Sequence, residues 1–180
     1  MLLLFYGFAP FRQFRDNVTE KILRGLPRRS GRKKIVFSVR FHKGQFLSAV
    51  KQHRPDVIIG LGQCADGRRL RIEAQAANRR RNSQAEKVKP ILQGGPRRLG
   101  TDLKLALGRQ GRSSGKAGEY VCNYSMYVIL DFIKRHQLPI RFGFIHIPHR
   151  YDYKKAIRLV EKALGRSEER RVGKECRSRW

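Results

Sequence analysis

The chain has 180 residues and is strongly basic, with 41 Lys and Arg against 14 Asp and Glu and a formal net charge of +27. Its length fits one domain with a sizeable core rather than several domains. Such a charge is typical of proteins that meet nucleic acid or another anionic surface. The basic residues are scattered, however, and we find no zinc-finger spacing, aromatic-interleaved RNA motif or helix-turn-helix pattern. A basic domain associated with nucleic acid is therefore an alternative rather than the first choice.

The last fifteen residues differ in character from the rest of the chain. Residues 166–180 resemble the in-frame translation of a common short-read sequencing adapter, and non-native segments are excluded from reasoning about a fold. They hold six of the basic and three of the acidic residues, so the remaining chain keeps a net charge of +24. We predict a single domain over residues 1–165 and a non-native adapter-like tail over 166–180.

Short apolar runs alternate with helical patterns along the chain. The runs 2–6, 35–40, 56–61 and 140–147 predict buried strands. Helices are predicted to follow Asn17, where Glu20 completes a capping-box-like pattern, to cover the stretch around Phe46 that ends before Pro55, and to span 123–136 and 151–164. This order predicts an α/β protein, a three-layer α/β/α sandwich with a mainly parallel twisted sheet. The apolar start is too short for a signal peptide or a membrane span, which predicts a cytoplasmic protein.

Cys122 has the clearest chemical meaning in the chain, because small residues lead into it and an apolar helical pattern follows it. Unpaired N–H groups in a first helical turn stabilise a thiolate and lower the pKa of a cysteine. His146 lies in an apolar run further on, and a cysteine near a histidine is what thiol hydrolysis requires. From the residues alone, an inert buried cysteine and a hydrogen-bonded core histidine are the more common outcome.

Four segments of the chain stand in the order of one family's motifs. They are 7–11, residues 62–78 with Glu73, residues 114–123 with Cys122, and 143–148 with His146. Together they resemble the pyroglutamyl peptidase I family of cysteine peptidases, which remove an N-terminal pyroglutamate from peptides. The resemblance implies an omega peptidase with a Cys-His-Glu triad, in which Cys122 is the nucleophile, His146 the general base and acid, and Glu73 the residue that orients the imidazole.

The same resemblance implies the substrate pocket and the partners. Substrate-binding residues would be Phe8, Phe11, Gln63, Tyr120 and Val121, and apolar walls with a few polar groups suit a neutral lactam ring. The implied partners are peptides with N-terminal pyroglutamate, with non-specific polyanion contact and a homo-oligomer as further candidates and no membrane. We expect no cofactor and no metal, because the cysteines and histidines lack metal-ligand spacing.

Some stretches depart from the family's pattern. Residues 79–93 replace a longer family segment, and 108–113 predict a poor strand just before the cysteine turn. Arg71 and Lys116 differ from the residue types that the family usually has there. A catalytically degenerate family member is therefore a second alternative function. Residues 79–89, which are basic and polar without an apolar period, are predicted to be a flexible loop.

Overall fold

A six-stranded sheet forms the centre of the structure, a computed structural model that describes residues 1–11, 14–65 and 67–177, with backbone alone from 166 onward. The strands are β1 (Leu3–Phe8), β2 (Arg32–Phe37), β3 (Val57–Cys64), β4 (Leu70–Glu73), β5 (Gln75–Ala77), β6 (Arg98–Gly100), β7 (Gly111–Ser114) and β8 (Arg141–Pro148). The sheet order is β2-β1-β3-β8-β4-β7, and its neighbouring strands are parallel except β4 and β8. β5 and β6 form a separate antiparallel pair.

Helices cover both faces of this sheet. They are α1 (Val18–Gly25), α2 (Lys43–His53), α3 (Val121–Arg135) and α4 (Tyr153–Arg177). α2 and α3 pack on one face, against Tyr6, Ile58 and Phe144 among others. α1 and α4 pack on the opposite face, against the alternate residues of the same strands. Because both faces are covered, β1, β3 and β8 are mostly apolar, and the predicted three-layer α/β arrangement is confirmed.

Two predicted helix boundaries follow from local chemistry. Asn17 caps α1, since its side chain accepts a hydrogen bond of 3.0 Å from the backbone N–H of Thr19. Glu20 does not complete a capping box, because its carboxylate pairs with Arg24 one turn later. α2 ends at His53, and Arg54 adopts the left-handed conformation (φ 44°) ahead of Pro55.

Three elements differ from the prediction. β2 covers 32–37 rather than 35–40, because parallel pairing with β1 sets its register. Where a poor strand was predicted over 108–113, residues 108–110 form a 3-10 helix and only the four-residue edge strand β7 forms, by pairing with β4. α4 continues to Arg177 instead of ending at 164, through a segment rich in Glu and Arg, both good helix formers. Residues 178–180 of the predicted tail lie outside the described residues, and the domain boundary at 165 stays a prediction.

The described helices are also informative about membranes. None of those within 1–11, 14–65 and 67–177 is both long enough and apolar enough to cross a bilayer.

Candidate active site

β8 presents His146 on the face of the sheet that α3 covers. His146 is opposite Gly62 of β3 on one side and opposite Arg71 of β4 on the other. Its Nδ1 lies 2.8 Å from Oε1 of Glu73, the last residue of β4. Both side chains are almost completely buried, at 3% and 0% exposure. This hydrogen bond fixes the ring so that its Nε2 edge faces away from the carboxylate.

Cys122 approaches the other edge of the imidazole across Gly62. A methyl group at Gly62 would lie 2.8 Å from Cys122 Sγ and equally 2.8 Å from His146 Cδ2, so these two atoms are separated by no more than twice that distance. Cδ2 is bonded to Nε2, whereas Glu73 is hydrogen-bonded to Nδ1, so the thiol and the carboxylate lie near different atoms of the ring. Gly62 is a site residue whose role the sequence analysis missed. A glycine inside a strand, where another group approaches closely, is the signal that could have found it.

Desolvation of the sulfur decides the protonation of Cys122, a residue that is half-buried as a whole. Burial raises the pKa of the thiol to about 12; the nearby Cys64 and Glu73 act in the same direction, and its own backbone N–H and Arg71 oppose them weakly. The expectation that the helix start would lower this pKa is therefore wrong for the resting site, because loss of water around the sulfur outweighs the helix dipole. Cys122 rests as a thiol, and a base must remove its proton.

The pKa of Glu73 is shifted in the opposite direction, downward. Burial opposes its ionisation, but the hydrogen bond and the charge of His146, with smaller effects of Ser114 and Arg71, outweigh burial and hold the pKa of this carboxyl below its usual range. Arg71 Nε lies 3.6 Å from Glu73 Oε1. Glu73 is thus a buried carboxylate that is held in its ionised form beside His146 and Arg71. Arg71, identified above as a departure from the family's pattern, is part of this charge arrangement.

Two of the predicted substrate-binding residues have structural contacts of their own. Phe8 is buried at the end of β1, where its ring contacts Tyr6 at 5.9 Å and Phe46 at 6.5 Å. Gln63, near the end of β3, accepts a hydrogen bond of 2.9 Å from the backbone N–H of Val18 and so holds the start of α1. Their part in substrate binding stays a prediction.

The other three predicted pocket residues flank the site. Phe11 is half-buried after β1, and its ring lies 5.6 Å from that of Phe14, which in turn contacts His149 at 4.7 Å. Tyr120 directly precedes α3 and is 37% exposed, whereas Val121 is buried as the first residue of the helix. All five predicted residues lie at the carboxyl ends of parallel strands or at the start of α3, where sites form in α/β folds.

Two asparagines hold the segment after Glu73, residues 74–100, which we call the site wall. Asn123, fully buried beside Cys122, accepts a hydrogen bond of 2.8 Å from the N–H of Ala77 and donates to the carbonyls of Ala77 and Arg79 at 2.9 and 2.8 Å. Asn78 makes four hydrogen bonds to backbone groups of residues 91–95. The sequence analysis quoted both residues within motifs but did not predict this function.

Metal chemistry has no candidate site in this arrangement. Across 1–11, 14–65 and 67–177, no three His, Cys, Asp or Glu side chains are grouped so as to hold a metal ion.

The fold and the site together define a class. A thiol, an imidazole and a carboxylate gathered at the carboxyl ends of a mainly parallel sheet suit a thiol hydrolase. The pyroglutamyl peptidase family model matches residues 101–162 of this chain, which include Cys122 and His146.

Relatives cover more of the chain. A pyrrolidone-carboxylate peptidase of Oceanobacillus iheyensis is 32% identical over 165 residues, or 81% of this chain and 83% of that protein. For the one from Bacillus amyloliquefaciens the identity is 36% over 115 residues, and the match spans 56% of this chain and only about half, 54%, of that protein. The chain belongs to the pyroglutamyl peptidase family, and the resemblance predicted from the sequence is confirmed.

Solved structures support the fold. A mutant pyrrolidone carboxyl peptidase from the hyperthermophile Pyrococcus furiosus superposes with a TM-score of 0.84 at 23% identity, covering 94% of this chain and 99% of that one. At this identity the likeness concerns the fold, and it agrees with the predicted α/β class.

Proposed function

We propose that this protein is a cysteine omega peptidase that hydrolyses the N-terminal pyroglutamyl residue from peptides, with Cys122, His146 and Glu73 as its catalytic triad. The observation that carries the proposal is the 2.8 Å hydrogen bond between His146 Nδ1 and Glu73 Oε1, together with the closeness of Cys122 Sγ to Cδ2 of the same ring. The substrate class comes from the family, whose members named above are pyrrolidone-carboxylate peptidases.

The first half of the reaction forms an acyl-enzyme. His146 Nε2 takes the proton of the Cys122 thiol as the sulfur attacks the pyroglutamyl carbonyl, and Glu73 stabilises the resulting imidazolium. Because the pKa of the resting thiol is raised to about 12, proton transfer and attack are coupled rather than sequential. The C–N bond then breaks, and His146 returns the proton to the amine of the departing peptide.

The second half restores the enzyme. Water attacks the thioester carbonyl while His146 accepts one of its protons, and the C–S bond breaks to release pyroglutamate. The sulfur leaves as a thiolate and recovers its proton from His146. This sequence uses no group outside the chain apart from water.

The start of α3 supplies stabilisation for the oxyanion. The first N–H groups of a helix have no acceptor within it and carry a partial positive charge. The first turn of α3 contains no acidic residue, and no side chain caps it. We propose that the backbone N–H of Cys122 donates a hydrogen bond to the negatively charged oxygen that develops from the substrate carbonyl.

The lactam ring would occupy the ends of β1 and β3. Phe11, Tyr120 and Val121 offer apolar contact beside the thiol, and Phe8 and Gln63 support the pocket from behind through their contacts with the core and α1. A free N-terminal amine would bring a charge into this apolar site, which is costly. We further infer a cytoplasmic enzyme, because the reducing cytosol keeps a catalytic thiol from oxidation.

A fluorogenic pyroglutamyl amide, with alanyl and prolyl amides as controls, tests the proposal. Cys122→Ala should abolish hydrolysis, whereas Cys64→Ser should keep most of it. Glu73→Gln should lower kcat by about 10-fold to 10⁴-fold, as loss of the orienting carboxylate does in other triads.

Three results would argue against this function. If Cys64→Ser is the inactivating change, the nucleophile is misassigned. A folded wild-type protein without hydrolysis would indicate a catalytically degenerate member. Tight, sequence-selective nucleic-acid binding that persists at physiological salt, without hydrolysis, would favour the basic nucleic-acid-associated domain.

A further inference from the structure

Three consecutive arginines of the site wall border the turn that carries Cys122. We call Arg79, Arg80 and Arg81 the arginine rim. The carbonyl of Arg79 accepts a hydrogen bond of 2.8 Å from Asn123, and the N–H of Arg81 donates to the carbonyl of Glu119 at 3.0 Å. The rim is therefore fastened to the chain on both sides of Cys122, so its distance from the nucleophile is set by the fold.

The charge of the rim is only partly neutralised. Arg79 and Arg81 share one carboxylate, with their Nε atoms 3.5 and 2.7 Å from the oxygens of Glu119. Arg80 lies 5.4 Å over the ring of Phe41, and no carboxylate of the described residues is within ion-pair distance of it. Lys89 adds a further exposed cation, since it exchanges two backbone hydrogen bonds with Arg80, of 2.7 and 2.9 Å.

Phe41 also connects Arg80 to α3 through an aromatic contact. The ring of Phe41 lies 5.1 Å from that of Tyr124, which is on α3 two residues after Cys122. Arg80 thus stands beside the first turn of α3, on the side of the helix that carries Tyr124. An extended peptide whose scissile carbonyl meets Cys122 advances about 3.3 Å per residue. Because the rim is fastened to the chain on both sides of Cys122 and the Debye length is about 10 Å, the first residues after pyroglutamate are the ones that its charge can influence.

We propose that the arginine rim makes this enzyme selective for pyroglutamyl peptides with acidic residues immediately after the pyroglutamate, an inference that rests on the proposed function. The unneutralised cations attract carboxylates and repel basic side chains of the leaving peptide. The rim is a short cluster of cations beside the nucleophile that also contains the carboxylate of Glu119. Its length therefore suits a few residues of a peptide. Binding to nucleic acid draws on many phosphate contacts along an extended surface, so the local geometry favours the peptide.

The test compares kcat/KM for three peptides of equal length, with Asp, Ala or Lys in the two positions after pyroglutamate. We expect the Asp peptide to exceed the Lys peptide by about 10-fold at low ionic strength and by less at high salt, as for exposed charges. In the double variant Arg80→Gln, Lys89→Gln, the ratio of kcat/KM for the Asp peptide to kcat/KM for the Lys peptide should fall by at least about 3-fold. The ratio is insensitive to a general loss of activity, and Arg79 and Arg81, which have the ion pairs with Glu119, remain in place.

A matched control removes the same charge elsewhere. Arg28→Gln with Lys134→Gln changes two exposed cations at the opposite, amino-terminal edge of the sheet and should leave the ratio unchanged. Equal rates for the Asp and Lys peptides in an active enzyme would overturn the inference and leave the proposed function standing. Failure to cleave any pyroglutamyl substrate would overturn both. If a short RNA inhibits the Ala peptide at physiological salt far more strongly than a poly-Glu peptide does, the rim is a nucleic-acid surface and the inference is wrong.

Discussion

The sheet core and the site wall hold the same active site by different physical means. The core strands β1, β3 and β8 are buried on both faces by apolar side chains. In the wall, all of which the structure describes, Ala76 and Leu99 are the only buried apolar side chains. The wall depends instead on hydrogen bonds from Asn78 and Asn123 to backbone groups. Apolar burial is non-directional and tolerates changes of shape, whereas these hydrogen bonds are directional and fail when one partner is lost.

The largest effect should come from a methyl group at the centre of the site. Gly62→Ala brings its Cβ within 2.8 Å of Cys122 Sγ, His146 Cδ2 and Phe144 Cε1, so the thiol and the imidazole must move apart. Misplacing reacting groups by about 1 Å costs about 100-fold in rate, and we expect at least that loss in kcat/KM.

The same substitution in the wall is the control. A methyl group at Gly100 would meet only the Ala74 carbonyl oxygen, at 3.9 Å, so Gly100→Ala should stay within about 3-fold of the wild-type kcat/KM. Comparable losses of kcat/KM in both variants would mean that the absence of a side chain at Gly62 is not what allows Cys122 and His146 to approach each other.

Loss of the Asn123 side chain should have the next largest effect, on the free energy of unfolding. It should also show that the site wall and the sheet core are stabilised differently. Asn123→Ala removes three hydrogen bonds and leaves their backbone partners unpaired, which costs about 3 kcal/mol in the free energy of unfolding at about 1 kcal/mol each. Urea denaturation measures this loss. Amide exchange should also become faster at residues 77–79, since the wall detaches from α3.

The matched change in the core is Ile58→Val, at a fully buried position of β3. It should cost about 0.5 to 1.5 kcal/mol, as removal of one buried methylene usually does, and should leave kcat/KM nearly unchanged. A larger loss of stability in Ile58→Val than in Asn123→Ala would contradict the division of roles between core and wall.

A smaller effect is expected in the pH dependence of stability. The pKa of Glu73 is lowered in the folded protein, mainly through His146 against the opposing effect of burial. The carboxylate therefore stabilises the fold above its unfolded-state pKa of about 4.3, and this contribution is lost as pH falls through the lower folded-state pKa. The difference in unfolding free energy between wild type and Glu73→Gln should shrink from about pH 6 to about pH 3. A difference that is constant across this range would show that the ionised form of Glu73 is not selectively stabilised.

The smallest effect should follow from removal of residues 166–180. Residues 166–177 extend α4 beyond Ala156, Val160 and Ala163, which pack on the sheet, and exposed terminal residues seldom belong to a core. We expect the melting temperature and kcat/KM to change little. A large loss of stability would assign the end of α4 to the native domain.

Much of the fold was predictable because it depends on near neighbours in the sequence. The apolar runs that became β1, β3 and β8, the cap at Asn17 and the position of Cys122 in the first turn of α3 all follow from periodicity and capping within a few residues. The candidate triad was predictable by resemblance, since Cys122, Glu73 and His146 stand in recognisable motifs.

Other features depended on packing between distant segments. Glu73 and His146 are 73 residues apart, and their contact requires the antiparallel pairing of β4 with β8. That pairing also places Arg71 beside the carboxylate, and pairing with β4 makes a strand of the polar residues 111–114. The pKa of Cys122 was predicted to fall and instead rises, because the sequence reveals a helix start but not how much water the surrounding layers exclude. Local sequence thus determined the elements and the reactive groups, while desolvation and strand pairing, which need the assembled sheet, decided their charges and distances.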